Sequence, residues 1–171
     1  MITQLISEKD IKEKVKELGQ KIRADYAFKE VVLVGILKGS VFFLTDLARE
    51  LDPALTTLDF MQVNSYIGTQ SSGFINVTLD TSADLTDKHV ILVEDIIDTG
   101  STLDFLIDHM TAKNCASVKI ATLLNKQKVD HISIEYTGFF IPKEFVVGYG
   151  LDFEDKYRNL KFVGVLKNED E

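Results

Sequence analysis

An α/β domain, a mainly parallel sheet flanked by helices, is predicted by three observations. Short β-branched apolar runs at 31–37, 90–93 and 117–124 are of the kind a parallel sheet buries on both faces. Segments of helical periodicity alternate with these runs. The runs end in turns rich in glycine, lysine, acid or hydroxyl, the βα geometry in which open sheets bind ligands at strand carboxyl ends. With 171 residues, 45% of them hydrophobic, two prolines and ten glycines, a single domain over 1–171 is expected. Such a chain can bury a core without metal or disulfide staples.

Taken in order, Ser7 is the expected N-cap of an amphipathic helix. Ile11, Val15, Leu18 and Ile22 recur on its one apolar face, and it runs to about Tyr26 as packing material. The 31–37 strand is broken by Lys38-Gly39-Ser40 and followed by a helix burying Phe43, Leu44 and Leu47. A Walker loop is excluded, because Lys38 precedes its glycine and the spacing is wrong. Alternation predicts strands over 58–63 and 74–79. Their polar connection, 65–73, is longer than a tight hairpin needs and reads as either a hairpin end or a lid.

Residues 90–102, Val-Ile-Leu-Val-Glu-Asp-Ile-Ile-Asp-Thr-Gly-Ser-Thr, turn from apolar run to acidic and hydroxylic loop within a dozen positions. Glu94 and Asp95 are expected at a strand's carboxyl end. Thr99, Gly100, Ser101 and Thr102 follow, with Ser101 or Thr102 expected to cap a helix that carries Leu103, Leu106 and Ile107 on one face. A glycine among hydroxyls at a helix N-terminus offers free N–H groups and the positive dipole end to a phosphate. Taken alone, a Glu-Asp pair at a strand end is a solvated turn. Three acids beside a phosphate cradle make this stretch the candidate site. Beyond it, 117–124 ends at Asn125-Lys126, 145–147 reads as one more core strand, 162–166 as a closing strand, and 168–171 as a loose tail.

Composition excludes several classes. The net charge of −8 argues against general affinity for nucleic acid. An acidic protein can still take a polyanion if metal accompanies it and cations sit locally in the cleft. No apolar run approaches a membrane span, residues 1–10 lack signal-peptide character, and the lone Cys115 permits no intrachain disulfide. A soluble, cytoplasmic protein is the expectation. His89, His109, His131 and Cys115 lack metal-ligand spacing, so zinc is unsupported and all four read as structural. Neither a Gly-x-Ser-x-Gly elbow nor a dinucleotide fingerprint is present: after Gly148 and Gly150, Phe153 stands where the third glycine belongs.

The 94–102 stretch closely resembles the phosphoribosyl-pyrophosphate signature of the purine phosphoribosyltransferases, specifically their hypoxanthine-guanine branch, which reads Glu-Asp-Ile-Ile-Asp-Thr-Gly at this point. Residues 141–152, Ile-Pro-Lys-Glu-Phe-Val-Val-Gly-Tyr-Gly-Leu-Asp, resemble that branch's purine pocket. The likeness covers nearly the whole chain. It implies a type I phosphoribosyltransferase-like fold with a small hood segment. The implied reaction is transfer of phosphoribosyl from 5-phosphoribosyl 1-pyrophosphate to hypoxanthine or guanine, giving IMP or GMP and pyrophosphate in purine salvage.

By motif match, the resemblance implies that Glu94 and Asp95 hold the ribose hydroxyls and magnesium. Asp98 is the general base, and Thr99, Gly100, Ser101 and Thr102 bind the 5′-phosphate. Lys38 and Gly39 belong to the pyrophosphate loop, and Arg158 reaches the pyrophosphate. Ser65 and Tyr66 open a mobile loop, which favours the lid reading. Lys126 recognises the purine, Phe145 stacks on it and Val146 offers its backbone to the ring. Asp152 supplies backbone contacts to the base and a carboxylate for a second magnesium. The implied cofactor is Mg2+, with Glu94, Asp95 and Asp152 as its ligands. The implied partners are small-molecule substrates and further copies of the chain, in a homodimer or homotetramer, with no nucleic acid and no membrane. The alternative is a regulatory protein of the same fold that binds RNA. A nucleotide-binding module without catalysis is a third reading, against which the retained Asp98 speaks. Asn64, where bacterial relatives often carry serine, and Lys161, where they often carry proline, depart from the pattern outside any proposed catalytic role.

Overall fold

A computed structural model describes residues 1–65, 75–98, 100–126 and 131–167, with the side chains of all of these except Ser65 and Ser101. In chain order the elements are β1 (Ile2–Ile6), α1 (Glu8–Asp25), β2 (Val31–Ile36), α2 (Val41–Arg49), β3 (Thr56–Ser65), β4 (Ile75–Leu79) and β5 (His89–Ile97). They continue with α3 (Ser101–Thr111), β6 (Ser117–Asn125), β7 (Tyr136–Phe140), β8 (Val146–Val147) and β9 (Val163–Leu166). Ser7 caps α1 as expected, its Oγ accepting from the Asp10 N–H at 3.1 Å. That satisfies one of the donors a helix start leaves unpaired.

The main sheet has six strands in the order β4-β3-β2-β5-β6-β7, parallel throughout except for the β3/β4 pair. Strand periodicity sorts its side chains into two layers. Leu33, Ile91 and Val93 join Ile11, Ile22, Phe43, Leu44 and Leu47 of α1 and α2 on one face. Val32, Val34, Val90 and Leu92 pack with Leu103, Leu106 and Met110 of α3 on the other. This two-faced burial is why the central strands read as continuous apolar runs. A separate three-stranded antiparallel sheet, β1-β9-β8, forms the hood.

From β2 the chain adds strands toward one edge, and from β5 toward the other. The strand order therefore reverses between these two neighbours, and the crevice at their carboxyl ends is where open α/β sheets bind ligands. The Lys38-Gly39 loop follows β2 there, and Glu94-Asp95 lies at the end of β5.

Two local expectations are corrected, and two strands were not foreseen. Strand β5 runs through Glu94 and Asp95 to Ile97, so the acids stand in its last turns and point to opposite faces. The N-cap of α3 is Gly100, at a left-handed φ of 79°, with no side-chain cap bond; Ser101 and Thr102 lie inside the helix. Glycine adopts that conformation without strain. Finally, β1 and β7 were not legible. Both are sheet edges, β1 burying only Ile6, so neither carries a run of buried residues to betray it.

Candidate active site

Four loops meet in the crevice. A Cβ on Gly39 would overlap the Asp95 carboxylate, so the backbone of the loop after β2 lies directly against that acid. A Cβ on Gly150 would overlap the Gly39 carbonyl oxygen, which brings the hood's 148–150 turn onto the same loop. Glycine is required at both positions by close approach, and at Gly150 also by a φ of 108°. The Leu37–Lys38 peptide bond is cis. The Tyr149 hydroxyl donates to Asp46 Oδ2 at 2.7 Å and so ties this turn to α2. Burial, reinforced by the Asp46 carboxylate, pushes the Tyr149 phenol up, and it stays a donor.

The acids are electrostatically loaded. Burial, then the neighbouring Asp95 charge, pushes Glu94 well above the usual carboxylate range, although part of its surface faces the cleft. Asp95 is pushed up to about 6, chiefly by burial; bonds from backbone N–H groups and the Arg158 charge oppose this, and Asp152 adds to it. One bond is the Ile96 N–H donating to Asp95 Oδ1 at 2.8 Å. Carboxyls perturbed by burial and by a neighbouring like charge cluster at functional sites. Among the described residues no three His, Cys, Asp or Glu side chains converge as a metal cage, so Glu94, Asp95 and Asp152 do not form one by themselves.

Arg158 is the hub on the hood side. Its guanidinium donates to the Gly150 carbonyl at 2.7 Å, pairs with Asp152 Oδ1 at 2.7 Å and lies 3.6 Å from Asp155 Oδ1. Lys38 Nζ lies 3.5 Å from that same Asp155 oxygen.

On the other side of the sheet's end, Glu94, Asp98, Gly100, Thr102 and Leu103 line a cavity of about 230 Å³ at the start of α3. The first N–H groups of a helix have no intrahelical acceptor, and here they adjoin that cavity. Lys126, just past β6 and mostly buried, places Nζ 3.6 Å from Asp98 Oδ2. Phe145, just before β8, is more than half exposed and meets Phe153 edge-on, with centroids 5.8 Å apart. Strand β8 is an edge of its sheet, which leaves one side of the Val146 backbone without a strand partner.

A second cavity of about 210 Å³ opens at the opposite end of the strands, among Tyr26, Val31, Leu51 and Thr56. The two volumes are similar; the convergence of acids, cations and a helix start distinguishes the first. The histidines are held elsewhere: His89 by Ser117 and the Tyr26 ring, His109 by Asp80, and His131 by Asp104.

The predicted residues Lys38, Gly39, Asp95, Asp152 and Arg158 thus form one group, and Glu94, Asp98, Gly100, Thr102 and Lys126 another beside it. Tyr66, Thr99, the rest of the 65–73 connection beyond Ser65 and the 168–171 tail lie outside the described residues, as do the side chains of Ser65 and Ser101. Sequence reasoning missed Asp155 and Phe153. Only their closeness to Asp152 and Arg158 in the chain could have flagged them.

A model of the phosphoribosyl transferase domain matches residues 1–154. The chain belongs to the phosphoribosyl transferase family. It is 51% identical to a hypoxanthine-guanine phosphoribosyltransferase of Streptococcus pneumoniae, strain R6, over 96% of this chain and 93% of that one. It is 48% identical to the enzyme of the same name from Lactococcus lactis, over 96% and 91%. The crystal structure of a hypoxanthine-guanine phosphoribosyltransferase from Bacillus anthracis superposes with a TM-score of 0.91 at 44% identity, covering 98% of this chain and all of that one. The fold is accordingly the type I phosphoribosyltransferase fold. The alternative of an RNA-binding regulator draws no support from these phosphoribosyltransferases.

Proposed function

We propose that this phosphoribosyltransferase transfers the phosphoribosyl group of 5-phosphoribosyl 1-pyrophosphate to hypoxanthine or guanine in purine salvage, releasing IMP or GMP and pyrophosphate. The observation that carries this reading is the Lys126 ammonium 3.6 Å from the Asp98 carboxylate. A donor beside an acceptor complements the O6 and N7–H of a 6-oxopurine, which are neighbours on one edge of the ring. A 6-amino group would turn a donor toward the ammonium. Relatives at 48–51% identity carry the same activity in their names.

The chemistry follows from these placements. The purine's N9 bonds to C1′ of the ribose while the bond from C1′ to the pyrophosphate oxygen breaks, its electron pair leaving with pyrophosphate. Positive charge grows on the ring as the bond stretches. Asp98 takes the proton that N7 loses when N9 becomes bonded, as a positioned general base. Lys38, the N–H groups of its loop and Arg158 receive the charge accumulating on the leaving group. Phe145 covers one face of the base, and Val146 reads the ring with its backbone.

Glu94, Asp95 and Asp152 are hard oxygen donors of the kind magnesium takes, and they would hold it one or two at a time beside the donor substrate. Mg2+ typically takes one or two carboxylates plus substrate phosphates, not an all-protein cage. When bound it supplies charge neutralisation on the diphosphate. The single thiol, Cys115, suits the reducing cytoplasm in which we place the reaction, and we expect the working unit to be a homodimer or homotetramer. The test is steady-state turnover with hypoxanthine, guanine, xanthine and adenine at saturating phosphoribosyl pyrophosphate, with magnesium and then with excess chelator. Turnover of the 6-oxopurines that chelator abolishes, with adenine inert, is expected. Preference for adenine, or full activity in chelator, overturns the assignment.

A further inference from the structure

Asp155 stands between the two cations assigned to the leaving group. One of its oxygens, Oδ1, is 3.5 Å from Lys38 Nζ and 3.6 Å from the Arg158 guanidinium, so a single carboxylate oxygen bridges side chains that start 120 positions apart in the chain. The residue is built into an unusual turn. Phe153 and Lys156 exchange backbone hydrogen bonds of 3.2 and 3.0 Å, and the two residues between them, Glu154 and Asp155, both have left-handed φ, 53° and 59°. Such paired positive φ values mark a type I′ turn, where Asn-Gly or Asp-Gly is favoured and glutamate is not. The Asp155 N–H also donates to Asp152 Oδ2 at 2.9 Å. The turn is thus pinned to the pocket rim and holds an acid, itself well exposed, against both pyrophosphate cations.

We propose that Asp155 is a resident anion of the pyrophosphate subsite, holding Lys38 and Arg158 together and competing with the diphosphate group of the donor and with the pyrophosphate product. The proposal rests on the assignment of Lys38 and Arg158 to the leaving group. The arrangement has a clear chemical sense. A phosphate oxygen can take the place of this carboxylate oxygen between the two cations, so binding exchanges one bridging anion for another. Asp155 is well exposed, so it can withdraw at small cost. Its charge would oppose product retention as much as donor binding. Asp155 is therefore a tuning residue for the affinity of pyrophosphate.

Asp155→Asn isolates the effect, because asparagine tolerates a left-handed φ and keeps the turn while losing the charge. Titration calorimetry of inorganic pyrophosphate with magnesium should show binding tightened by about three- to tenfold, the combined scale of two exposed ion pairs. The KM for phosphoribosyl pyrophosphate should fall in parallel, while the KM for hypoxanthine stays within twofold. Glu154→Gln makes the same change in net charge one residue away and should leave pyrophosphate affinity within twofold. Lys38→Ala and Arg158→Gln provide the separate check on the subsite. If both leave pyrophosphate binding unchanged, the subsite is misassigned and the proposal falls with it. If they weaken binding while Asp155→Asn leaves it unchanged or weaker, or if Glu154→Gln tightens it equally, the subsite stands and the role of Asp155 alone is overturned.

Discussion

In the proposed reaction Asp98 and Lys126 divide the work on the base, and each can be tested without the other. Asp98→Asn keeps the shape of the side chain but cannot accept the N7 proton. Turnover should fall by about 10²- to 10⁴-fold, the usual worth of a positioned acid or base, with the melting temperature little changed. A loss of only a few-fold would make Asp98 a turn residue. Lys126→Ala removes the donor for the 6-oxo group. The KM for hypoxanthine should rise strongly, because the carbonyl is left without its partner, while the KM for phosphoribosyl pyrophosphate stays near its parent value. Lys126 also neutralises Asp98 across 3.6 Å, so the variant carries an unpaired carboxylate where the base must dock.

At the scale of elements, the site is a contact between loops from two sheets. The 148–150 turn of the hood rests on the Gly39 carbonyl, and the Gly39 backbone rests on the Asp95 carboxylate at the end of β5. A side chain at Gly150 would meet the Gly39 loop and would also have to adopt a φ of 108°. Gly150→Ala should cost about 1–3 kcal/mol of stability, the scale of a strained backbone position, and should lower kcat/KM for phosphoribosyl pyrophosphate more than for hypoxanthine. Thermal melts and steady-state kinetics on the same preparation check both halves. The start of α3 shows the complementary design. Its N-cap is a glycine with no side-chain cap bond, and the helix start adjoins the cavity that Asp98 and Thr102 line.

For the whole molecule, the acidic crevice sets a trade between stability and function. Asp95 titrates at about 6 in the fold, above the range of an exposed aspartate in the unfolded chain. The folded state therefore binds more protons than the unfolded state between about pH 4 and 6, and stability falls as pH rises through that window. Above it the cost is constant, up to about 3 kcal/mol if the whole shift is expressed. Asp95→Asn removes the charge, so the ligand-free variant should melt higher than the parent at pH 7.5, by about 2–4 °C for each kcal/mol recovered. The gain should shrink toward pH 4, where the parent's carboxyl is already protonated, and the variant should lose most of its activity. A variant no more stable at pH 7.5 than at pH 4, relative to the parent, would show that Asp95 carries no such burden.

Local pattern was enough to read the α/β class, the helix cap at Ser7, the three central apolar strands and the residues at their carboxyl ends: Lys38 and Gly39, then Glu94, Asp95 and Asp98, then Lys126. These are legible because two-faced burial, capping and strand-end chemistry act over a few consecutive residues. Resemblance to a known family extended the reading to Arg158 and Asp152. Which of these groups meet depends on the folded arrangement. Asp98 faces Lys126, Gly39 touches Asp95, and Asp155 bridges Lys38 and Arg158, because the strand order reverses between β2 and β5 and the hood folds back over that point. Edge strands β1 and β7 stayed hidden for the same reason, since β1 acquires its partner only when β9, near the other end of the chain, comes beside it. Spacing along a chain tells what a side chain is able to do. Which partner it does it with is a matter of non-local pairing, and strand order and the crossovers between strands set that.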